Sequence, residues 1–248
     1  MTTPAASPAD LVPLGPAAVA LGRAFAEAGH ELHLVGGPVR DALLGRLCDD
    51  LDFTTDAHPD RILKLVEPLA SATWTTGMEF GTIGARVRGV ACEITTFRSD
   101  RYDRVSRNPA VVWGDSLEDD LRRRDFTMNA MAVSVTGDRT FTDLFGGMAD
   151  LARGLLRTPG TPEESFADDP LRMLRAARFA STLEVQVAPE VEAAIRDMAG
   201  ELGRITPERV QAELTKLLLG AAPRRGLELM VDTGLADVVL PELPALRM

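Results

Sequence analysis

Leu34-Val-Gly-Gly-Pro-Val-Arg-Asp-Ala-Leu-Leu-Gly45, followed by Asp50-Leu-Asp-Phe-Thr-Thr55, lies in the first quarter of the chain. Leu32–Val35 reads as a strand, Gly36-Gly37 as a turn, and Pro38 to about Leu44 as a helix, because proline is preorganised for a first helical position. Leu51–Thr54 reads as a second strand, with Asp50-Leu51-Asp52 at its start. Side chains two apart on a strand share a face, so the two carboxylates converge. Like charges that close are unfavourable unless a cation neutralises them. Oxygen-only ligands favour Mg²⁺, which tends to use one or two carboxylates plus substrate phosphates. The strand–glycine–helix unit can bring backbone N–H groups and a helix N-terminus against a phosphate, and Arg40 in the first turn adds a charge-assisted contact. This is neither a Walker A loop nor a dinucleotide fingerprint. Taken singly, each feature has an ordinary reading: solvated acids at a strand entry, and a common strand–turn–helix link.

Outward from this stretch, the alanines with Leu21 and Phe25 read as a helix from Pro16 to Gly29, behind a Ser/Pro/Ala-rich tail. Arg61–Leu69 reads as a helix with Ile62, Leu65, Val66 and Leu69 at helical spacing. Thr82–Val87 and Val90–Phe97 form one expected hairpin about Arg88-Gly89, and Met131–Val135 and Thr140–Asp143 another. Glu93 faces away from Cys92 and Ile94, so it either joins the Asp pair or is a surface acid. After about Pro159 strand signals cease. Helical patterns follow at Asp169–Ala180, Glu190–Ala199, Pro207–Leu219 and Arg224–Thr233, with prolines near their starts. The expectation is an α+β front half and an all-α rear half.

Composition bounds the function. The 248 residues carry 27 Lys and Arg against 37 Asp and Glu, a net charge of −10. That balance argues against a simple basic nucleic-acid-coating protein, although local clusters can oppose it. Cys48 and Cys92 are too few and too isolated for a disulfide framework or a Cys-x-x-Cys metal site. His30, His33 and His58 share no metal spacing. The apolar N-terminal stretch lacks a basic leader and is broken by Pro13, Gly15 and Pro16, so no signal peptide is expected. No apolar run is long enough to span a bilayer. A cytoplasmic setting without membrane or DNA partners is the expectation.

Six segments together resemble the head and neck of class II tRNA nucleotidyltransferases, the CCA-adding enzymes, whose head bacterial poly(A) polymerases share. Two are the stretches quoted above. The others are Glu93-Ile-Thr-Thr-Phe-Arg98, Arg123-Arg-Asp-Phe-Thr-Met-Asn-Ala-Met-Ala132, Asp143-Leu-Phe-Gly-Gly-Met-Ala-Asp-Leu151 and Asp168-Asp-Pro-Leu-Arg-Met-Leu-Arg-Ala-Ala-Arg-Phe179. The resemblance covers about residues 30–220. It implies an α+β fold with a polymerase-β-like nucleotidyltransferase head, a mixed sheet with helices, followed by an all-α neck. The implied domains are 1–29 as N-terminal tail and helix, 30–159 as catalytic head, 160–222 as neck, and 223–248 as the start of a truncated helical body. It further implies Asp50 and Asp52 as catalytic metal ligands, with Glu93 beside them. Gly36, Gly37 and Arg40 cradle the triphosphate, Arg124 binds nucleotide, and Asp125 and Asn129 meet the ribose. Two metal ions roughly 3.5–4 Å apart can hold the attacking and leaving oxygens of such a transfer. Read without the resemblance, Arg122–Arg124 are a solvated run balancing Glu118–Asp120. The segment before them, with Tyr102 and Trp113, either closes over substrate or is simply exposed.

The helix at Asp169 carries a second argument. Arg172, Arg175 and Arg178 recur every three residues and share one side. They are a solvated face or a ridge directed at the nucleotide. Asp only accepts hydrogen bonds and Arg only donates. The Watson–Crick edges of cytosine and adenine each place an amino donor beside a ring-nitrogen acceptor; guanine and uracil reverse the order. Asp169 with Arg172 therefore admits CTP and ATP, and a mispaired buried polar group costs ~1–3 kcal/mol. The family uses this helix as a protein template. Asp168, where many relatives carry Glu, is a departure, but the Asp-x-x-Arg spacing is intact.

The expected partners are thus a tRNA 3′ end, ATP and CTP, with Mg²⁺ as cofactor. A poly(A) polymerase or an enzyme adding only A or only C is the alternative. A catalytically silent nucleotide or RNA binder is a third reading, disfavoured by the intact Asp pair. The acidic balance predicts a weak grip on tRNA, since RNA affinity leans on phosphate neutralisation.

Overall fold

The computed structural model describes residues 7–46, 48–98, 114 and 116–245. Its contacts divide the chain into two units. The first holds the residues up to Arg124 together with Asn129–Gly147; the second holds Asp125–Met128 and everything from Met148 onward. The expected head–neck boundary at residue 159 lies C-terminal to this division.

The first unit runs α1 (Pro16–Glu27), β1 (Leu32–Val35), α2 (Gly37–Leu43), β2 (Asp50–Thr55), α3 (Pro59–Val66), β3 (Ala70–Trp74), β4 (Thr82–Val87), β5 (Val90–Thr96), α4 (Leu117–Arg122), β6 (Met131–Ser134) and β7 (Phe141–Asp143). Among the described residues seven strands form one sheet in the order β3-β4-β5-β2-β1-β6-β7. The β2–β5 pair is parallel and the other pairs are antiparallel. The sheet is therefore mixed, as expected.

Register sorts its residues into rows. Leu34 pairs with Phe53, Phe53 with Ile94, and Ile94 with Ile83. All four are buried. Partners across a ladder share a face, so this row is one continuous apolar ridge. Helices α1 and α3 pack on the sheet, bringing buried Leu21, Phe25, Ile62 and Val66 into the same core. Each such side chain contributes ~1.5–3 kcal/mol by leaving water. One residue along β2 and β5 the side chains point the opposite way. There Asp52 pairs with Glu93.

Helix α4 covers part of the sheet by packing Leu121 against Val35, Ala130 and Ala132, with Leu117 and Phe145 at the margin. Ser116 caps it, its Oγ accepting from the Asp119 N–H at 3.2 Å. Strand β3 and helix α4 were not expected from the sequence. Ala70–Trp74 is an edge strand with a bulge and little burial, and Leu117–Arg122 reads as a charge run.

The second unit continues through α5 (Gly147–Arg153), β8 (Leu155–Leu156), α6 (Pro162–Asp168), α7 (Leu171–Thr182), β9 (Gln186–Val187), α8 (Pro189–Met198), α9 (Pro207–Leu218), α10 (Pro223–Asp232), α11 (Leu235–Val239) and α12 (Glu242–Ala245). Helix α7 is central, packed on α9 and α10. Gly226 permits a close approach: a Cβ there would stand 2.6 Å from the Ala177 carbonyl oxygen and 2.9 Å from Leu217 Cγ. Ser181 Oγ donates to the Leu217 carbonyl at 2.6 Å, tying α7 to α9. The four helices expected in this half are present with end shifts of one or two residues, and α5, α6, α11 and α12 add to them. One correction concerns the strands. Gln186–Val187, after Pro159, forms a two-residue parallel ladder with Leu155–Leu156, before it, too short to leave a periodic signal.

Candidate active site

The acidic row is built by register. Asp50 and Asp52 are two apart on β2, and Glu93 is the β5 partner of Asp52, so all three project from one face. Asp50 and Glu93 are exposed and Asp52 half-buried. Among the described residues no three His, Cys, Asp or Glu side chains converge tightly enough to hold a metal ion unaided. Glu93 shares the row without completing a cage. The donor set is oxygen-only and anionic, and it fits a Mg²⁺ ion that shares its coordination between one or two carboxylates and phosphate oxygens.

The glycine turn stands beside this row. Gly36 has φ 72° and ψ −136°, a region open only to glycine. The φ change stops β1 and starts α2 in a single residue. A Cβ on Gly36 would lie 3.2 Å from Arg124 Nη1 and 3.7 Å from Asp52 Oδ2. The backbone turn, the guanidinium and the carboxylate thus meet around one point. Beside Gly37 lies Arg40, only 11% exposed. Its Nε and Nη2 donate to Asp41 at 2.9 Å each, and its Nη1 donates to Asn129 Oδ1 at 2.7 Å. Arg40 and Asn129, expected at triphosphate and ribose respectively, are therefore bonded to each other.

Arg124 is oriented by a residue the sequence reading did not select. Asp120 is completely buried, and its two oxygens take Arg123 Nη2 at 2.6 Å and Arg124 Nη2 at 3.0 Å. Burial pushes the Asp120 carboxyl up, but the charges of Arg124 and Arg123 outweigh it and hold the group below the usual carboxylate range. The Nε–H of Arg124 is buried and has no hydrogen-bond partner among the described residues. A donor left in this way beside a glycine turn suits an anionic ligand.

In the second unit, Asp125 accepts from Phe126 N–H at 2.8 Å through Oδ1 and pairs with Arg175 through Oδ2. This partner raises the Arg175 pKa. Buried Glu213, from α9, pairs with Arg178 at 2.6 Å and lies 3.9 Å from Arg175. Arg178 also stacks at 4.0 Å on the Phe179 ring. Two of the three arginines expected as a nucleotide-facing ridge thus have carboxylate partners inside this unit. Arg172 Nη1 donates to Ser165 Oγ at 2.9 Å. Asp169 Oδ1 accepts from Leu171 N–H at 3.1 Å, and Oδ2 from Arg209 Nη2 at 2.8 Å. Glu213 and Arg209, some forty residues away in sequence, were missed because no local spacing links them to α7. Tyr102 and Trp113, in the segment read as a possible closing loop, lie outside the described residues.

A mixed sheet with an acidic row beside a glycine turn, followed by a helical unit, defines the polymerase-β-like nucleotidyltransferase class with a helical neck. The chain belongs to the poly A polymerase head domain family, which matches residues 32–157. A second family, described as "Probable RNA and SrmB- binding site of polymerase A", matches residues 184–246. The CCA-adding enzyme of Levilactobacillus brevis is 45% identical over 210 residues, covering 84% of this chain and 51% of that protein. That of Bacillus subtilis is 42% identical over 223 residues, covering 90% and 54%. The chain spans about half the length of these relatives. The Bacillus stearothermophilus CCA-adding enzyme in complex with CTP superposes with a TM-score of 0.83 at 37% identity, over 94% of this chain and 57% of that one. The Thermotoga maritima CCA-adding enzyme complexed with tRNA gives 0.78 at 26% identity, over 96% and 56%. The family is the one the six motifs resemble.

Proposed function

We propose that this chain is the head and neck of a template-independent RNA nucleotidyltransferase that adds C and A to tRNA 3′ ends from CTP and ATP, releasing pyrophosphate. The observation that carries this reading is the register placing Asp52 opposite Glu93 and beside the Gly36 turn that Arg124 Nη1 faces. The names of the relatives, the CTP and tRNA complexes among them, and the ordered motifs support it.

Asp50 and Asp52 would hold the divalent metal, proposed to be Mg²⁺, which lowers the charge on attacking and leaving oxygens when bound. Glu93 adds negative charge on the same face, near the attacking hydroxyl. Gly36 and Gly37 offer backbone to the triphosphate, and Arg124 offers the charge. Arg40 and Asn129 hold the first turn of α2 beside Gly37. Asp169 and Arg172 select the base by accepting from an amino group and donating to a ring nitrogen. Arg209 orients Asp169. Asp125, Arg175, Arg178 and Glu213 form the ion-pair lattice that keeps α7 in place. The proposed domains are head 30–159, neck 160–222 and the start of a body at 223–248, behind a tail and helix at 1–29. The proposed setting is cytoplasmic; no helix among the described residues is long and apolar enough to cross a membrane.

The test is pyrophosphate release with CTP, ATP, both, GTP or UTP, using tRNA lacking its CCA end or an unstructured RNA. Release with CTP and ATP on tRNA alone supports the proposal. Repeated ATP use on unstructured RNA with no CTP use identifies a poly(A) polymerase instead, and no release with any nucleotide overturns the assignment.

A further inference from the structure

The acidic row extends beyond Glu93. Glu93 pairs with Gly84 on β4, and Gly84 with Trp74 on β3. Asp52, Glu93, Gly84 and Trp74 thus form one transverse row, and their side-chain positions share a face. Gly84 leaves a gap in it. The indole of Trp74 fills that gap: a Cβ built on Gly84 would clash with the ring at Nε1, Cε2 and Cδ1. Neighbouring strands are ~4.8 Å apart, so a ring lying over Gly84 on β4 stands one strand from Glu93 on β5. Trp74 is half-buried, with part of its surface in solvent.

The position has a consequence for the transfer, and it rests on the function proposed above. In-line displacement puts the attacking hydroxyl and the leaving pyrophosphate on opposite sides of the phosphorus. Gly36 closes β1, on one side of Asp52; Trp74 lies on the other side, past Glu93, in the strand order β3-β4-β5-β2-β1. With the triphosphate at Gly36 and Arg124, the RNA end approaches from the Trp74 side.

We propose that Trp74 is a stacking platform for the base of the RNA's 3′-terminal nucleoside, the one whose hydroxyl attacks. The chemistry suits the task. The terminal base changes after every addition, so a hydrogen-bonding contact fitted to one base would fail at the next step. Stacking on an aromatic face tolerates every base. Gly84 is part of the device, because a side chain there would lift the ring from the sheet.

Two measurements test this. In Trp74→Leu the KM for the RNA is expected to rise about 5- to 150-fold, the range base–aromatic stacking supplies, with the KM for CTP within about twofold of wild type and Trp74→Phe retaining most of the affinity. A folded Trp74→Leu protein whose KM for RNA is unchanged overturns the platform while leaving the transfer reading intact; a wild type that extends no RNA overturns the transfer reading. The chain has two tryptophans, Trp74 and Trp113, so Trp113→Phe isolates the Trp74 emission without depending on how Trp74→Leu folds. An RNA ending in an intact 3′ nucleoside is expected to quench it, and the same RNA with an abasic 3′ end is expected not to. Equal emission with both RNAs overturns the proposal.

Discussion

Arg124 Nη2 lies 3.0 Å from the wholly buried Asp120 carboxylate, while Nη1 of the same guanidinium stands at the Gly36 turn. One end of the side chain is thus fixed by an interior charge and the other faces the acidic row. The geometry is set before any ligand arrives, which reduces the side-chain ordering that binding would otherwise require. Asp120→Asn keeps the shape and removes the charge. Affinity for CTP is expected to fall about tenfold by isothermal titration, with kcat less affected. Stability is expected to fall toward the lower end of the ~3–5 kcal/mol typical of breaking a buried pair, because Arg123 and Arg124 keep 16% and 20% exposure.

The same carboxylate makes stability depend on acid. Its folded pKa lies below its ordinary value of 3.8. A depressed folded pKa means that the unfolded chain binds the proton more readily, so stability from this group is complete above pH 3.8 and is lost as pH falls toward the folded pKa. Urea unfolding followed downward from pH 6 is expected to give a steeper loss for wild type than for Asp120→Asn in the acid window. Parallel curves would contradict the assignment.

Gly36→Ala tests the turn. The new Cβ must adopt a glycine-only backbone region, at ~1–3 kcal/mol, and stands 3.2 Å from Arg124 Nη1. The expected outcome is a lower melting temperature and at least a tenfold weaker affinity for CTP. Gly89→Ala is the control: it also has a positive φ, of 85°, but nothing lies within 4 Å of its Cβ. It is expected to lose stability without losing nucleotide affinity.

Asp169→Asn tests base selection. An amide both accepts and donates, so it no longer demands an amino group on the base. Incorporation of U relative to C is expected to rise about tenfold, consistent with the ~1–3 kcal/mol of a mispaired polar group. Arg209→Ala, which frees the Asp169 carboxylate from its 2.8 Å partner, is expected to move the same ratio less. An unchanged ratio in Asp169→Asn would remove this residue from base selection.

Much of the head is readable along the chain because its information is local. Period-two alternation marks Thr82–Val87 and Val90–Thr96, and Arg88 and Gly89, both at positive φ, mark the turn between them. The pairing of Asp50 with Asp52 follows from strand geometry alone. What escaped depends on register or long range. Trp74 enters the acidic row through three ladders, and Ala70–Trp74 shows no alternation because it is an edge strand. Asp120 looks like its neighbours Glu118 and Asp119 in sequence; only burial separates it from them. Glu213 and Arg209 meet α7 from another helix, so no spacing rule within α7 can find them.

The central claim is that the β2 carboxylates carry nucleotidyl transfer, and 3′-end sequencing tests it most directly. A tRNA lacking its last three nucleotides is incubated with Mg²⁺ and all four nucleoside triphosphates, using wild type and Asp52→Ala. The account predicts C, C and A in order with wild type and a loss of at least ~10³-fold in rate with Asp52→Ala, the several kcal/mol that metal-assisted charge stabilisation provides. Extension by Asp52→Ala at the wild-type rate, or incorporation of G and U as readily as C and A by wild type, would contradict it.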